Sequence, residues 1–337
     1  MNKNYNISEA VAQAQDLAKK LSIGLSKVIR GRDDTIKFII TALFADGHIL
    51  LEDYPGSGKT TLTKTLGRLI SKDPSLGSPA SQEHIIPFRR IQFTPDLLPG
   101  DVLGVNVFEP KSGSFRFIHG PVFAHVVLAD ELNRAGPKVQ SAFLECMAEK
   151  QVTIDNYTHK LDELFFVIGT QNPLDIAGTY PLPIVQLDRF LFKIPMSYVD
   201  KKTEMEILSD YEQISSGTSE SSPICSRAEI LLARSVVNTV QIAPAIIEAI
   251  VDICQATRKA PNLQFGASTR AALMTQSAVR AWALVNGRSY ATEDDLVAVL
   301  PYVLGHRLKF HGSVTSPREA LMDIARPALE KLAKVGI

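Results

Sequence analysis

The sequence predicts an α/β fold: a parallel sheet built around a phosphate-binding loop, followed by an all-helical C-terminal part. Three observations carry this. First, the apolar run Ile49-Leu50-Leu51 leads through Glu52-Asp53-Tyr54-Pro55-Gly56-Ser57-Gly58-Lys59-Thr60-Thr61 into a helix with Leu62, Leu66, Leu69 and Ile70 on one face. Second, two more apolar runs, residues 126–129 and 164–169, each end in polar residues, Asp130-Glu131 and Thr170-Gln171-Asn172. Third, from about residue 227 onward the hydrophobic spacing reads as helix.

The 337 residues suffice for one large domain or two ordinary ones, and 45% hydrophobic residues can fill a large core. Lys+Arg and Asp+Glu are balanced at 36 each, which gives no general reason to expect nucleic-acid or membrane binding. Cys146, Cys225 and Cys254 are far apart, without metal-ligand spacing, and read as reduced packing residues. Met-Asn-Lys-Asn-Tyr-Asn lacks the apolar run of a secretion signal, and residues 38–45 are too short a run to span a bilayer. The expectation is a cytoplasmic protein without membrane insertion.

In chain order, Ile7, Val11, Ala14, Ala18, Leu21 and Leu25 recur at helical spacing and predict an amphipathic helix. Gly31 breaks it, and Asp33 or Asp34 is expected to cap the next, which runs to Ala45. The kinked segment Val28-Ile29-Arg30 reads equally as the flank of an adenine base or as a plain helix–helix corner. Residues 88–93 read as a strand. Residues 102–109 and 114–119 read as a hairpin around Pro110-Lys111-Ser112-Gly113. Residues 135–150 read as helix, and residues 151–154 and 158–161 as a second hairpin with Asn156 at its tip. A domain boundary is expected at 195–200, giving a core of residues 1–197 and a helical part of residues 198–337. There, Ile246, Ile247, Ile250, Val251 and Ile253 predict one buried helix and residues 271–284 another. Thr292 with Asp295 marks a capping box, and Ser316-Pro317 opens a last helix.

The chemistry of the motifs is specific. Glycines at 56 and 58 let backbone N–H groups approach phosphate oxygens, and the following helix directs its positive end at them. Lys59 would reach the β- and γ-phosphates, and the Thr60 hydroxyl would ligate Mg²⁺. The strict loop pattern has glycine where this chain has Asp53. Asp130 and Glu131, about 70 residues further on, form the pair called Walker B. Asp130 would hold Mg²⁺, and Glu131 would polarise the attacking water. Asn172, just past a parallel strand, sits where ligands bind such sheets, or belongs to an Asn-Pro turn. Arg189 in Gln186-Leu187-Asp188-Arg189-Phe190 reads as a phosphate finger or as a solvated arginine paired with Asp188. Arg270 opens a helix and either points at phosphate or faces solvent.

Together these residues resemble the AAA+ ATPases, and within them the MoxR family. The most specific parts of the resemblance are Ile91-Gln92-Phe93-Thr94-Pro95-Asp96-Leu97-Leu98-Pro99-Gly100-Asp101, Ala129-Asp130-Glu131-Leu132-Asn133-Arg134-Ala135, Thr170-Gln171-Asn172-Pro173 and Gln186-Leu187-Asp188-Arg189-Phe190. The resemblance implies ATP or ADP with Mg²⁺, bound by Pro55, Gly56, Ser57, Gly58, Lys59, Thr60 and Thr61, with Ile29 beside the adenine. It makes Asn172 sensor 1, Arg189 an arginine finger for the neighbouring subunit, and Arg270 sensor 2. It makes the first hairpin a helix-2 insert and the second the insert before sensor 1. It also implies an ATP-hydrolysing homo-oligomer, usually a hexameric ring, that acts as a chaperone on a client protein, often beside a partner with a von Willebrand factor A domain. The competing class is a nucleic-acid-dependent motor, which shares the same inserts. Neutral charge and the lack of an appended DNA-binding segment count against it.

Overall fold

A computed structural model describes residues 7–53, 57–71, 85–172, 178–212, 214, 222–312 and 316–336. Helices α1 (Ile7–Ser26) and α2 (Asp33–Phe44) precede β1 (Ile49–Asp53), and α3 (Lys59–Leu69) leads to β2 (Ile86–Gln92). A short helix α4 (Pro99–Leu103) opens the hairpin β3 (Gly104–Glu109) and β4 (Ser114–His119). Then follow β5 (Ala124–Asp130), α5 (Pro137–Glu149), the hairpin β6 (Gln151–Ile154) and β7 (Tyr157–Lys160), β8 (Phe166–Gln171), α6 (Ile184–Leu187) and β9 (Phe192–Met196). The remainder runs α7 (Lys201–Ser209), α8 (Arg227–Val237), α9 (Pro244–Lys259), β10 (Leu263–Phe265), α10 (Thr269–Val285), α11 (Glu293–Leu304), β11 (Lys309–Phe310) and α12 (Pro317–Ala333).

The main sheet has the order β2-β5-β8-β1-β9, and every pairing in it is parallel. All five C-terminal strand ends therefore share one edge, here called upper, and all five N-terminal ends share the lower edge. The inner strands β1, β5 and β8 are apolar on both faces over most of their length, as strands covered on both sides require. Ile49, Leu51, Leu128 and Ile168 face a core shared with α1, α2, α3 and the C-terminal helices. Leu50, Val127 and Val167 face the other way, against Val139, Phe143 and Met147 of α5. The expected α/β core, hairpin insert and following helical part are all present.

Several local expectations shift. In α1 the buried stripe is Ala10, Ala14, Leu17, Ala18, Leu21 and Leu25, whereas Ile7 is exposed. Asp33 and Asp34 do not cap α2. Arg32 holds the cap position without a side-chain bond, and the two carboxylates lie in the first turn, where they complement the helix dipole. Residues 102–103 end α4 rather than begin β3. The strand expected at 164–169 runs instead from Phe166 through Gln171. In α9, Ile246, Ile250 and Ile253 are buried, but Ile247 and Val251 face outward. The C-terminal part is not purely helical, because β10 and β11 pair antiparallel within it. At the base of the first hairpin, Gly104 has φ +108°, and a Cβ there would lie 2.4 Å from the Ile118 carbonyl oxygen. Only glycine fits so close an approach of backbone to backbone. No helix among the described residues is long and apolar enough to cross a membrane.

Candidate functional site

The upper edge gathers most of the residues that the sequence marks. Asp53 closes β1, paired with Met196. Pro55 and Gly56 lie outside the described residues. Gly58 adopts φ +88°, and α3 starts directly after it, with no side-chain cap. This left-handed turn is cheap only for glycine, and it puts Lys59, Thr60 and Thr61 in the first helical turn. Ile29 approaches from the α1–α2 corner: its Cδ1 lies 4.0 Å from where a Gly58 Cβ would be. The residue read equally as adenine flank or helix corner thus sits beside the loop.

From between β2 and β8 in the sheet, β5 delivers Asp130, which is 2% exposed. Lys59 Nζ stands 3.6 Å from its Oδ1. The Thr170 hydroxyl, at the end of β8, donates to the same oxygen at 2.8 Å and accepts from the Glu131 N–H at 2.9 Å. Glu131 sits at φ +56°, an uncommon conformation for a residue with a side chain. The Thr170 bond to the Glu131 N–H offsets part of that strain. Gln92 Nε2 donates to Glu131 Oε2 at 2.7 Å, and Arg134 Nε stands 3.1 Å from the same oxygen. Arg90 donates from Nη2 to Asp130 Oδ2 at 2.6 Å and from Nε at 3.1 Å. Asn172 follows β8 at the same edge, and its carbonyl faces Asn133 Nδ2 at 3.5 Å.

Sequence reasoning assigned no role to Arg90, Gln92, Arg134 or Thr170. The available signal for Thr170 was a hydroxyl ending an otherwise apolar strand. Gln92 offered no such signal, because only the parallel register sets it opposite Asp130.

Arg189 and Arg270 are elsewhere. Arg189 precedes β9, whose first residue, Phe192, is in register with Ile49 at the start of β1. The Leu191 N–H donates to the His48 carbonyl at 2.7 Å. The segment therefore lies at the lower edge, and the length of β1, about 15 Å, separates it from the upper edge. Arg270 goes with it, its Nε 3.9 Å from Asp188 Oδ2. Asp188 does not pair with Arg189. Its Oδ1 instead accepts from Arg307 Nε at 2.7 Å.

A five-stranded parallel sheet with a phosphate-loop strand beside its centre, two carboxylates ending an inner strand and a helical domain behind defines the class of AAA+ ATPases. Residues 48–192 match the ATPase family associated with various cellular activities (AAA), and residues 255–327 match the AAA lid domain. The uncharacterised protein YeaC of Bacillus subtilis is 41% identical over 287 residues, 85% of this chain and 85% of that protein. Chaperone MoxR1 of Mycobacterium tuberculosis is 35% identical over 310 residues, 89% of this chain and 78% of that protein. A crystal structure of a candidate ATPase from Cytophaga hutchinsonii superposes with a TM-score of 0.83 at 36% identity, covering 95% of this chain and 96% of that one. The chain belongs to the MoxR family of AAA+ ATPases.

Proposed function

We propose that the protein hydrolyses ATP as a homo-oligomeric ring, hexameric as is usual in its family, and uses the cycle to remodel a partner protein. The observation that carries this reading is the split between the two edges. Lys59, Asp130 and Glu131 converge at the upper edge, while Arg189 and Arg270 stand together at the lower one. Arginines so far from their own loop are of use to a phosphate only if that phosphate belongs to a neighbouring subunit.

The upper-edge residues fit Mg²⁺ and a nucleotide. A hydroxyl and a carboxylate are the oxygen donors that Mg²⁺ takes beside phosphates. Asp130 is buried yet faces the helix start that bears Thr60. Bound Mg²⁺ would neutralise charge on the β- and γ-phosphates. Residues from Pro55 to Thr61 would wrap the phosphates, Lys59 would meet the β- and γ-oxygens, and Ile29 would lie along the base. Glu131 would leave Gln92 and Arg134 to orient water and take its proton, with Asn172 holding the water's other side. Arg189 and Arg270 of the neighbouring subunit would stabilise the charge on the transferring group. Residues 1–197 would form the core, and residues 198–337 a lid that moves against it.

The name of the mycobacterial relative, a chaperone, supports a protein client. We extend this to maturation or metal insertion of a partner protein in the cytoplasm where this chain is expected to work, beside a protein with a von Willebrand factor A domain. A motor on nucleic acid is the other reading. The Phe108–Phe115 hairpin tip is aromatic and carries only Lys111 among basic residues of 108–113. DNA should neither bind tightly at physiological salt nor stimulate turnover, and salt-sensitive micromolar affinity would favour the nucleic-acid reading.

The test of the two-chain site mixes two inactive variants. Arg189→Ala keeps Glu131, and Glu131→Gln keeps Arg189. Assembled together, some interfaces regain both, and ATPase activity should return with a smooth dependence on the mixing ratio. No recovery in assemblies shown by mass measurement to be mixed would rule out a simple site made by two chains.

A further inference from the structure

Arg307, in the turn after α11, has a side chain only 2% exposed. Its Nη2 donates to the Phe190 carbonyl at 2.6 Å and the Asp188 carbonyl at 3.2 Å, and Nη1 donates to the Leu191 carbonyl at 3.3 Å. Nε binds the Asp188 carboxylate, and Nη1 also reaches the carbonyl of Val303 on α11. Most of these acceptors belong to residues 188–191, the short segment that carries Arg189. On the other carboxylate oxygen of Asp188 stands Arg270, the first-turn residue of α10. One carboxylate thus lies between two arginines of the helical part, and its chain neighbour is Arg189.

Burying a guanidinium is costly, and for stability alone apolar residues of similar volume often serve as well or better. Burial lowers the Arg307 pKa to about 10, so it stays charged at neutral pH. What a planar fork supplies that an apolar plug does not is direction: it fixes several carbonyls and a carboxylate in one plane. We infer that Arg307 and Asp188 are positioning residues, which lock Arg189 and Arg270 into one unit that meets the same phosphate. This rests on the reading of Arg189 and Arg270 as phosphate-facing groups. It goes beyond that reading by making the lid's Arg307 a determinant of turnover at a site it never touches.

Asp188→Asn keeps shape and an acceptor for Arg307 but removes the charge between the arginines. ATP affinity at the variant's own loop should stay within about twofold. Turnover should fall by about 10- to 100-fold, the cost of displacing a positioned group by about 1 Å. Arg307→Lys, which keeps charge and loses the fork, should show the same split, and thermal melting of both variants reports whether they fold. The decisive measurement repeats Asp188→Asn in an Arg189→Ala, Arg270→Ala background, using radiolabelled single turnovers. If Asp188 acts through those arginines, no further loss appears there. The same fractional loss in that background, or wild-type turnover in Asp188→Asn, overturns the inference alone. Wild-type turnover in the Arg189→Ala, Arg270→Ala protein itself overturns the underlying reading and this one with it.

Discussion

The two edges of one sheet hold charge in opposite ways. At the upper edge, Asp130 and Glu131 are met by Lys59, Arg90, Arg134 and Gln92, several of them partly exposed; the Arg90 side chain is 47% accessible. At the lower edge, Asp188 is gripped by an arginine whose side chain is 2% accessible, and the neighbouring His306 and His48 are buried. At the upper edge the buried member is the Asp130 carboxylate, met by partners such as Arg90 that reach solvent; at the lower edge it is the Arg307 guanidinium, whose partner Asp188 is 26% accessible. A partner that reaches solvent exchanges readily, whereas a buried guanidinium holds its geometry because breaking its bonds leaves a stranded charge. We expect the partners of Asp130 to exchange when a ligand arrives and the Asp188 segment to keep its shape.

The widest separation between the edges should come from Lys59→Ala and Arg189→Ala. Lys59→Ala removes the charge that meets the phosphates, and fluorescent ATP titration should show affinity collapsing. Arg189→Ala should bind ATP as the wild type does yet lose turnover by roughly 10³-fold or more. Equal ATP affinity in Lys59→Ala and wild type would undo the loop assignment. A smaller loss is expected inside the upper edge. Glu131→Gln keeps the Thr170 contact to its backbone and should bind ATP, but turnover should drop by roughly 10²-fold or more. Steady-state hydrolysis near the wild-type rate would move the base elsewhere.

The upper edge was largely legible in the sequence because its signals are local. A glycine turn, a lysine and a helix start are consecutive, and so are an apolar strand and its two terminal carboxylates. Thr170, Gln92 and Arg90 were not legible as partners of those groups, because parallel register sets them there across 40 residues or so of chain. The lower edge was hidden for the same reason in stronger form. Arg307 meets Asp188 across 119 residues, and neighbouring positions suggested an Asp188–Arg189 pair that the fold does not make. Element types came through well, but which apolar residues of α1 and α9 face inward depended on helix rotation. Several positions at helical spacing satisfy more than one stripe.

The smallest effect concerns stability and belongs to the lower edge. His48 directly precedes β1, with Nε2 3.1 Å from the Met147 carbonyl, and its Nδ1 accepts the Val167 N–H at 3.1 Å. That pair of partners suits the neutral ring with its proton on Nε2. Burial lowers its pKa to about 4; Asp46 opposes the shift, while Lys150 and Arg234 add to it. Unfolded, the ring titrates near pH 6.5. As pH falls from about 6.5 to about 4, the unfolded chain takes up a proton that the folded protein refuses, so folding stability falls across this window. His306 is held neutral by burial and by Arg307 and acts in the same direction. The His48 contribution alone should make the protein on the order of 2 kcal/mol less stable at pH 5 than at pH 7. His48→Gln offers an amide donor and acceptor in similar places without a proton to gain. Urea unfolding of both proteins at the two pH values isolates the effect from carboxylates that titrate in each. The variant should lose less stability on acidification, and equal losses would show that the ring is not held neutral by the fold.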